Sequence, residues 1–148
     1  MTLSRNFAVL WDMDGVIADT SRYHFQSWVT AFKPEGIDFT PTHFERAFGM
    51  ANIDIIPEVF GKKVPPEVIR KIGDEKEIIF RRLIKDKITA LPGVTDLLAA
   101  LAAAYIKTAL VSSTSIENID LILGTLGIKL YFPVIVSGND ITEGKPSP

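Results

Sequence analysis

Three short runs of mainly apolar residues predict β-strands. Residues 7–11 (FAVLW) form an unbroken apolar run that stops at Asp12, which is typical of a strand buried on both faces of a parallel sheet. Residues 107–111 (KTALV) and 133–136 (PVIV) predict the second and third strands. Polar or turn-forming residues follow each run at once, and ligands of open α/β sheets bind at such strand ends.

Between the first two runs, apolar residues recur at helical spacing. Phe25, Trp28 and Phe32 are three or four residues apart and predict an amphipathic helix over residues 21–32. Prolines where a first helical turn tolerates them predict two further helices, over residues 44–48 and 67–84. Residues 18–90 are therefore expected to be helical.

After residue 90 the predicted strands alternate with predicted helices over residues 95–105 and 115–126. This alternation indicates βαβ units and a parallel sheet. We therefore predict an α/β fold in two parts. Residues 1–17 and 91–148 form the core, and residues 18–90 form a helical module inserted after the first strand.

Composition and charge exclude several functional classes. The chain has 148 residues, of which 47% are hydrophobic and 23% charged, and no apolar stretch approaches the ~18 residues of a membrane-spanning helix. Sixteen basic against 18 acidic residues give a net charge of −2, so nucleic acid is not an expected partner. The chain has no cysteine and no apolar signal segment before residue 7, and we expect a cytoplasmic protein.

Two carboxylates follow the first predicted strand. Asp12 and Asp14 are two residues apart, so both project to the same side of the sheet if the strand geometry continues, and Gly15 allows a tight turn. Such a pair can divide the work of a nucleophile and a proton shuttle, and it can bind Mg²⁺ together with a substrate phosphate. The alternative is an ordinary acidic turn that caps the next helix.

Three hydroxyl groups follow the second predicted strand. Ser112, Ser113 and Thr114 precede a helix, where hydroxyls and backbone N–H groups can hold a phosphate. Thr114 with Glu117 also matches a helix capping box, so we expect Ser112 to face the site and Thr114 to face the helix. Lys145, in a Gly-Lys-Pro turn, is by itself an ordinary surface lysine.

Together these segments resemble the haloacid dehalogenase-like phosphotransferases. Residues 12–20 (DMDGVIADT), 110–112 (LVS) and 144–148 (GKPSP) are similar to the first three motifs of that family, in the family's order. The helical module resembles the cap of the subgroup that carries it between the first and second motifs. Within it, residues 19–28 (DTSRYHFQSW) resemble β-phosphoglucomutase and related sugar-phosphate phosphatases. The resemblance implies a Rossmann-like parallel sheet with a helical cap domain.

The resemblance also implies roles for individual residues of the core. Asp12 would be the nucleophile that becomes phosphorylated and a ligand of Mg²⁺, and Asp14 would be the general acid/base, with its backbone carbonyl on the metal. Ser112 would hydrogen-bond the transferring phosphoryl group, with Ser113 as a further substrate-binding residue. Lys145 would offset negative charge in that group.

Two cap residues receive roles from the same resemblance. His24 corresponds to a hinge histidine that orients the acid/base carboxylate, and the alternative is a histidine on the helix surface. Lys76 resembles a cap lysine that reaches the active site when the cap closes, and the alternative is a solvated helix lysine. The cap would act as a lid that excludes water and selects a small phosphorylated metabolite.

Two departures from the family pattern change the expectation. Residues 49–52 (GMAN) lack the arginine that holds a second phosphate in β-phosphoglucomutase, which favours a phosphatase over a mutase, although Arg46 or Lys62 could substitute. The sequence also stops three residues after Lys145, before the family's acidic fourth motif, and Asp140 and Glu143 are poor replacements for it.

This second departure leaves the predicted sheet incomplete and its first strand at an edge. We expect either a fragment of a longer protein, favoured by the ending in mid-motif, or a short chain that covers this edge by self-association or strand exchange. A catalytically inactive domain that acts only in binding or assembly is the alternative to an enzyme.

Overall fold

The computed structural model describes residues 7–47 and 49–140 of the chain. Two short 3-10 helices, Lys33–Glu35 and Lys129–Tyr131, accompany the regular elements. In chain order those elements are β1 Ala8–Trp11, α1 Ser21–Phe32, α2 Pro41–Ala47, α3 Asn52–Phe60, α4 Pro66–Ile84, α5 Val94–Ala103, β2 Lys107–Val111, α6 Ile116–Leu126 and β3 Val134–Val136.

The strands form one parallel sheet in the order β1-β2-β3, which confirms the predicted α/β class. Trp11 lies opposite Leu110 in the first pair of strands, and Val111 lies opposite Val136 in the second. Because all three strands run the same way, their carboxyl ends share one edge of the sheet. The polar segments that follow the strands are therefore neighbours.

The prediction that β1 is buried on both faces is wrong. Leu10 is 68% exposed and Phe7 is 57% exposed, whereas Trp11, on the face opposite Leu10, is buried. Among the described residues, β1 is an end strand with β2 as its single neighbour. An apolar run shows that side chains favour burial, but it does not show whether a second layer covers them.

The described residues divide into two compact units. The first, here called the core unit, comprises residues 7–19 and 88–140, and the second, the helical unit, comprises Thr20–Lys87. The predicted boundaries, after residues 17 and 90, lie two and three residues from these divisions. The assignment of the helical unit as a cap stays a prediction.

The core unit holds the sheet with α5 and α6. Leu98 of α5, Leu110 of β2 and Ile119 of α6 are fully buried. Helix α6 ends at Gly127, which adopts a left-handed conformation with φ 68° that glycine reaches without a steric penalty. The predicted helix over residues 115–126 is confirmed to within one residue.

The helical unit packs around the aromatic face of α1. Trp28, Phe32 and Phe39 are buried in one cluster with Ile56 of α3 and Ile72 of α4. Helix α1 has the bounds that the apolar spacing predicts. No helix was singled out over Asn52–Phe60, where Pro57 lies inside α3 and weakens any helical expectation.

Within residues 7–47 and 49–140, no helix combines the length and the apolarity that crossing a membrane requires.

Candidate active site

The segment after β1 is a tight turn that carries both predicted catalytic carboxylates. Asp12 and Asp14 are half-buried, and Met13 between them is fully buried. The Met13 carbonyl accepts the backbone N–H groups of residues 16–18 at 2.9–3.3 Å. Gly15 supplies the positive φ of 78° that the turn requires. The turn fixes the backbone of both carboxylates by hydrogen bonds that do not use their side chains.

The side chain of Asp14 accepts a hydrogen bond from Thr114, which the sequence predicted to cap the next helix instead. Thr114 Oγ1 donates a hydrogen bond of 2.7 Å to Asp14 Oδ2. The predicted capping box is therefore wrong: the N-cap of α6 is Ser115, which makes no side-chain capping bond. The hydroxyl of Thr114 serves the carboxylate because the parallel order brings the ends of β1 and β2 together.

Ser112 continues β2 into the candidate site. Its side chain is buried, and its backbone N–H donates to Val136 O at 3.0 Å, one step beyond the strand pairing. Ser112 Oγ accepts the N–H of Thr114 at 3.1 Å, which closes a short turn. The same turn therefore positions the Ser112 hydroxyl and aims the Thr114 side chain at Asp14. Ser113, between them, is half-buried.

The segment after β3 is hydrogen-bonded to the segment after β2. Gly138 N donates to Thr114 O at 2.9 Å, and Asn139 Oδ1 accepts the N–H of Ile116 at 2.9 Å, at the start of α6. A Cβ at Gly138 would lie 2.3 Å from Ser113 O, so glycine is required for this close approach. No local pattern indicates that Asn139 caps α6, because Asn139 is 23 positions from its partner.

Asp140 takes part in this local structure. Its Oδ2 accepts both the hydroxyl of Ser137, at 2.6 Å, and the backbone N–H of Ser137, at 2.8 Å. These hydrogen bonds hold the pKa of the Asp140 carboxyl below its ordinary value of 3.8. The bond from the Ser137 hydroxyl lowers the pKa most, and the bond from the Ser137 backbone N–H adds to it. Asp140 therefore stabilises the turn after β3.

The core unit thus brings together part of the predicted set. Asp12 and Asp14 follow β1, Ser112 and Ser113 follow β2, and Thr114 links the two strand ends. Lys145 and the rest of the third motif lie outside the described residues. Over residues 7–47 and 49–140, no group of three or more His, Asp or Glu side chains is placed to hold a metal ion.

The helical unit brings its two predicted residues into contact. Lys76 Nζ lies 3.0 Å from His24 Nδ1, and the His24 ring stacks on Phe80 with a centroid separation of 4.0 Å. Lys76 is 3% exposed, so the alternative of a solvated helix lysine is wrong. His24 is half-buried and is therefore not an open surface residue.

Glu77 and Asn52 also contact this cluster and were missed by sequence reasoning. Glu77 Oε1 accepts Lys76 Nζ at 2.8 Å and Asn52 Nδ2 at 2.8 Å. Asn52 belongs to the segment that lacks an arginine, and Glu77 directly follows Lys76 in the chain. The available signal was the position of Glu77 beside a lysine on the buried side of α4.

Comparison with known proteins shows that the chain matches one protein family along most of its length. The family model for haloacid dehalogenase-like hydrolases matches residues 9–148. A phosphorylated carbohydrates phosphatase of Thermotoga maritima is 31% identical over 145 residues, which cover 95% of this chain and 65% of that protein. The β-phosphoglucomutase of Bacillus subtilis is 30% identical over 150 residues, which cover 95% and 65%.

A solved structure shows the same fold. The β-phosphoglucomutase of Clostridium difficile superposes with a TM-score of 0.85 at 32% sequence identity, covering 95% of this chain and 66% of that one. The chain therefore spans about two thirds of the length of each of these three proteins.

Proposed function

Because the chain belongs to the haloacid dehalogenase-like hydrolase family, we propose that it hydrolyses a small phosphorylated metabolite, such as a sugar phosphate, through an aspartyl-phosphate intermediate. The observation that carries the proposal is the position of Asp14, held by Thr114 at the carboxyl ends of adjacent parallel strands. Asp12 directly follows β1, and Ser112 directly follows β2. A nucleophile, an acid/base and a phosphate-binding hydroxyl are the groups that this reaction requires.

In the first half of the reaction, a carboxylate oxygen of Asp12 attacks phosphorus and the bond from phosphorus to the ester oxygen breaks. Asp14 gives its proton to the departing alcohol. In the second half, a water oxygen attacks the phosphorus of phospho-Asp12 while Asp14 takes a proton from that water. The bond between phosphorus and the Asp12 oxygen breaks, which releases inorganic phosphate and restores the Asp12 carboxylate. Ser112 donates to a phosphoryl oxygen, and Lys145 offsets negative charge.

Thr114 has a positioning role in this scheme. A carboxyl group that gives and then takes a proton must keep one orientation through both halves of the reaction. The hydroxyl of Thr114 holds one oxygen of Asp14 by a hydrogen bond within the core unit. The scheme therefore makes activity sensitive to this hydroxyl.

The residues after β1 suit Mg²⁺. Asp12 and Asp14 supply hard oxygen donors, and Mg²⁺ commonly binds through one or two carboxylates together with substrate phosphate and water. We propose Asp12 and the backbone carbonyl of Asp14 as its ligands. Bound there, Mg²⁺ would neutralise phosphate charge and let a dianion approach a carboxylate.

We assign the helical unit the role of a cap that excludes water and selects the substrate, with His24 and Lys76 as its functional residues. The buried contact between Lys76 and His24 supports a role for both beyond solvation. A small metabolite is favoured over nucleic acid because the chain has a net charge of −2. A cytoplasmic location stays a prediction from the sequence.

A phosphomutase is the second candidate, favoured by the similarity to the Bacillus subtilis β-phosphoglucomutase. A mutase must hold its bisphosphate intermediate in two orientations, whereas a phosphatase needs one phosphate site. Incubation with β-glucose 1-phosphate and a bisphosphate activator separates the two. Release of phosphate without glucose 6-phosphate excludes the mutase.

The deciding experiment is phosphate release from an aryl phosphate and a panel of sugar phosphates with Mg²⁺. Turnover that Asp12→Asn abolishes, and that Asp120→Asn, which removes an exposed carboxylate of α6, leaves nearly unchanged, supports the proposed hydrolysis. Absence of turnover by the unsubstituted chain, or equal turnover in Asp12→Asn, supports the non-catalytic alternative.

A further inference from the structure

The N-terminus of α6 is capped by a residue from another strand end. Ser115 occupies the N-cap position, where a serine hydroxyl ordinarily accepts a backbone N–H of the first helical turn. Ser115 makes no such bond, and among the described residues its buried Oγ has no hydrogen-bond partner. The N–H of Ile116, the first residue of α6, instead donates to Asn139 Oδ1 at 2.9 Å. The segment after β3 therefore supplies the cap that Ser115 does not.

Two neighbouring residues of the segment after β3 hold the start of α6 on both sides of Ser115. Gly138 N donates to Thr114 O at 2.9 Å, and Asn139 Oδ1 accepts the N–H of Ile116 at 2.9 Å. A single bond would let the backbone pivot about it, whereas bonds on both sides of Ser115 also fix its direction. The Asn139 side chain therefore restrains the backbone that carries Thr114.

Asn139 is itself held by a buried residue. Its backbone N–H donates to Ser137 Oγ at 3.3 Å, and Ser137 Oγ donates to Asp140 Oδ2 at 2.6 Å. Ser137 is buried, whereas Asn139 is exposed. The Asn139 side chain therefore reaches Ile116 from an ordered turn, although it lies at the surface.

The restrained backbone carries the side chain that contacts the proposed acid/base. Thr114 Oγ1 donates to Asp14 Oδ2 at 2.7 Å. A shift of Thr114 by about 1 Å away from Asp14 would lengthen this contact beyond the range of a hydrogen bond. Misplacement of a reacting group by about 1 Å can lower a rate roughly 100-fold. The orientation of the Asp14 carboxyl group is therefore sensitive to how firmly the start of α6 is held.

We propose that Asn139 is a positioning residue for the hydrolysis, which acts through the start of α6 and Thr114 to orient the Asp14 carboxyl group. The inference rests on the proposed function, in which Asp14 gives and then takes a proton. In this role Asn139 transfers no proton and binds no substrate. The competing explanation is a cap that serves only the stability of α6.

The first test measures hydrolysis of an aryl phosphate with Mg²⁺. Asn139→Ala removes the acceptor and should lower kcat about threefold to tenfold with little change in KM. Asn139→Asp keeps an acceptor and should retain most of kcat, since solvent screens its charge at this exposed position. Gly127→Ala, the matched control, strains the other end of α6, where φ is 68°, and should leave kcat unchanged. Equal losses of kcat in Gly127→Ala and Asn139→Ala would overturn the inference in favour of helix stability.

Ile116→Pro removes the same hydrogen bond from its donor side. Proline has no N–H and is favoured at the first position of a helix. It also requires an extended conformation of the preceding residue, which Ser115 already has, with φ −65° and ψ 150°. The helix should therefore form, and kcat should fall as in Asn139→Ala. If Asn139→Ala does not fold, an unchanged kcat in Ile116→Pro overturns the inference by itself.

A double-mutant cycle shows whether Asn139 acts through Thr114. Thr114→Val removes the hydrogen bond to Asp14, so Asn139→Ala added to it should lower kcat by less than about a further twofold. A loss equal to the product of the two single losses would mean that Asn139 acts by another route, which contradicts the inference.

Backbone amide exchange, followed by NMR, distinguishes the inference from the proposed function. The N–H of Thr114, which donates to Ser112 Oγ at 3.1 Å, should exchange several-fold faster in Asn139→Ala and Ile116→Pro but not in Gly127→Ala. This result without turnover by the unsubstituted chain contradicts the proposed hydrolysis alone. Turnover with an unchanged kcat in Asn139→Ala and Ile116→Pro contradicts the inference alone. Absence of both turnover and faster exchange contradicts both.

Discussion

Thr114 Oγ1 donates a 2.7 Å hydrogen bond to Asp14 Oδ2, although the two residues are 100 positions apart in the chain. The bond joins the segment after β1 to the segment after β2 at the carboxyl edge of the sheet. Through this bond, the Thr114 hydroxyl in the second segment orients the Asp14 carboxylate in the first. The geometry of the proposed acid/base therefore depends on tertiary structure rather than on its local turn alone.

Loss of the Thr114 hydroxyl should impair catalysis more than folding. Thr114→Val has nearly the same shape but removes the donor, and a hydrogen bond to a charged group contributes about 1.5–3 kcal/mol. We expect kcat to fall roughly 10- to 100-fold with a smaller change in KM. Thr114→Ser keeps the donor and should retain most of the activity. Equal kcat values in all three proteins, measured by phosphate release, would show that the bond does not support catalysis.

A side chain at Gly138 should destabilise the core unit. The Cβ of Gly138→Ala would lie 2.3 Å from Ser113 O, so the segments after β2 and β3 must separate. We expect a loss of about 1–3 kcal/mol in the free energy of unfolding, measured with urea. Gly124→Ala is the matched control, because its Cβ meets nothing within 4 Å in α6 and alanine favours a helix. Similar unfolding midpoints for the two variants would contradict the expected close contact.

Asp140 should stabilise the folded chain in a pH-dependent manner. Hydrogen bonds from Ser137 lower its pKa in the folded state below the ordinary value of 3.8. The stabilisation is therefore fully present above pH 3.8 and is lost as the pH falls through the lowered pKa of the folded state. The unsubstituted chain should be more stable than Asp140→Asn at neutral pH, and this difference should shrink in acid.

Unfolding by urea at neutral pH and well below pH 3.8 measures the effect of Asp140. Asp38→Asn, which removes an exposed carboxylate, is the control for the change in net charge. A stability difference between the unsubstituted chain and Asp140→Asn that is independent of pH would contradict the pKa shift.

The sequence predicted strands and helices whose signals are local. The strand over Lys107–Val111 and the helix over Ser21–Phe32 have the predicted bounds, since apolar runs and helical spacing are properties of neighbouring residues. The same reasoning assigned burial to Leu10 and failed, because exposure depends on which elements lie beside a strand. Residue type was a sound guide to local structure and a poor guide to tertiary environment.

In the candidate site too, residues could be recognised from their neighbours in the chain, whereas contacts between residues far apart in the chain could not be predicted. Asp12, Asp14 and Ser112 could be proposed from their positions after predicted strands. The partner of Asp14 could not, because a capping motif is the nearest local interpretation of Thr114 and the competing contact is 100 residues away. Likewise, Lys76 was singled out on α4, but its burial against Trp28 and its contact with His24 arise from helix packing.

The exposed strand β1 supports a last prediction, that the 148-residue chain associates with itself. Among the described residues, β1 pairs on one side with β2, and Leu10 on its outer face is 68% exposed. A strand with unpaired N–H and C=O groups and apolar side chains is a template for pairing with another chain. We therefore expect oligomers whose proportion rises with protein concentration, measured by sedimentation velocity.

Leu10→Lys should shift this equilibrium toward the monomer, because pairing two such strands would bring lysine charges together and desolvate them. Leu130→Lys places the same charge at another exposed apolar position, in the 3-10 helix before β3, and should leave association unchanged. An equal loss of association in both variants would indicate a general effect of charge. A concentration-independent monomer in the unsubstituted chain would show that the edge of β1 does not mediate pairing.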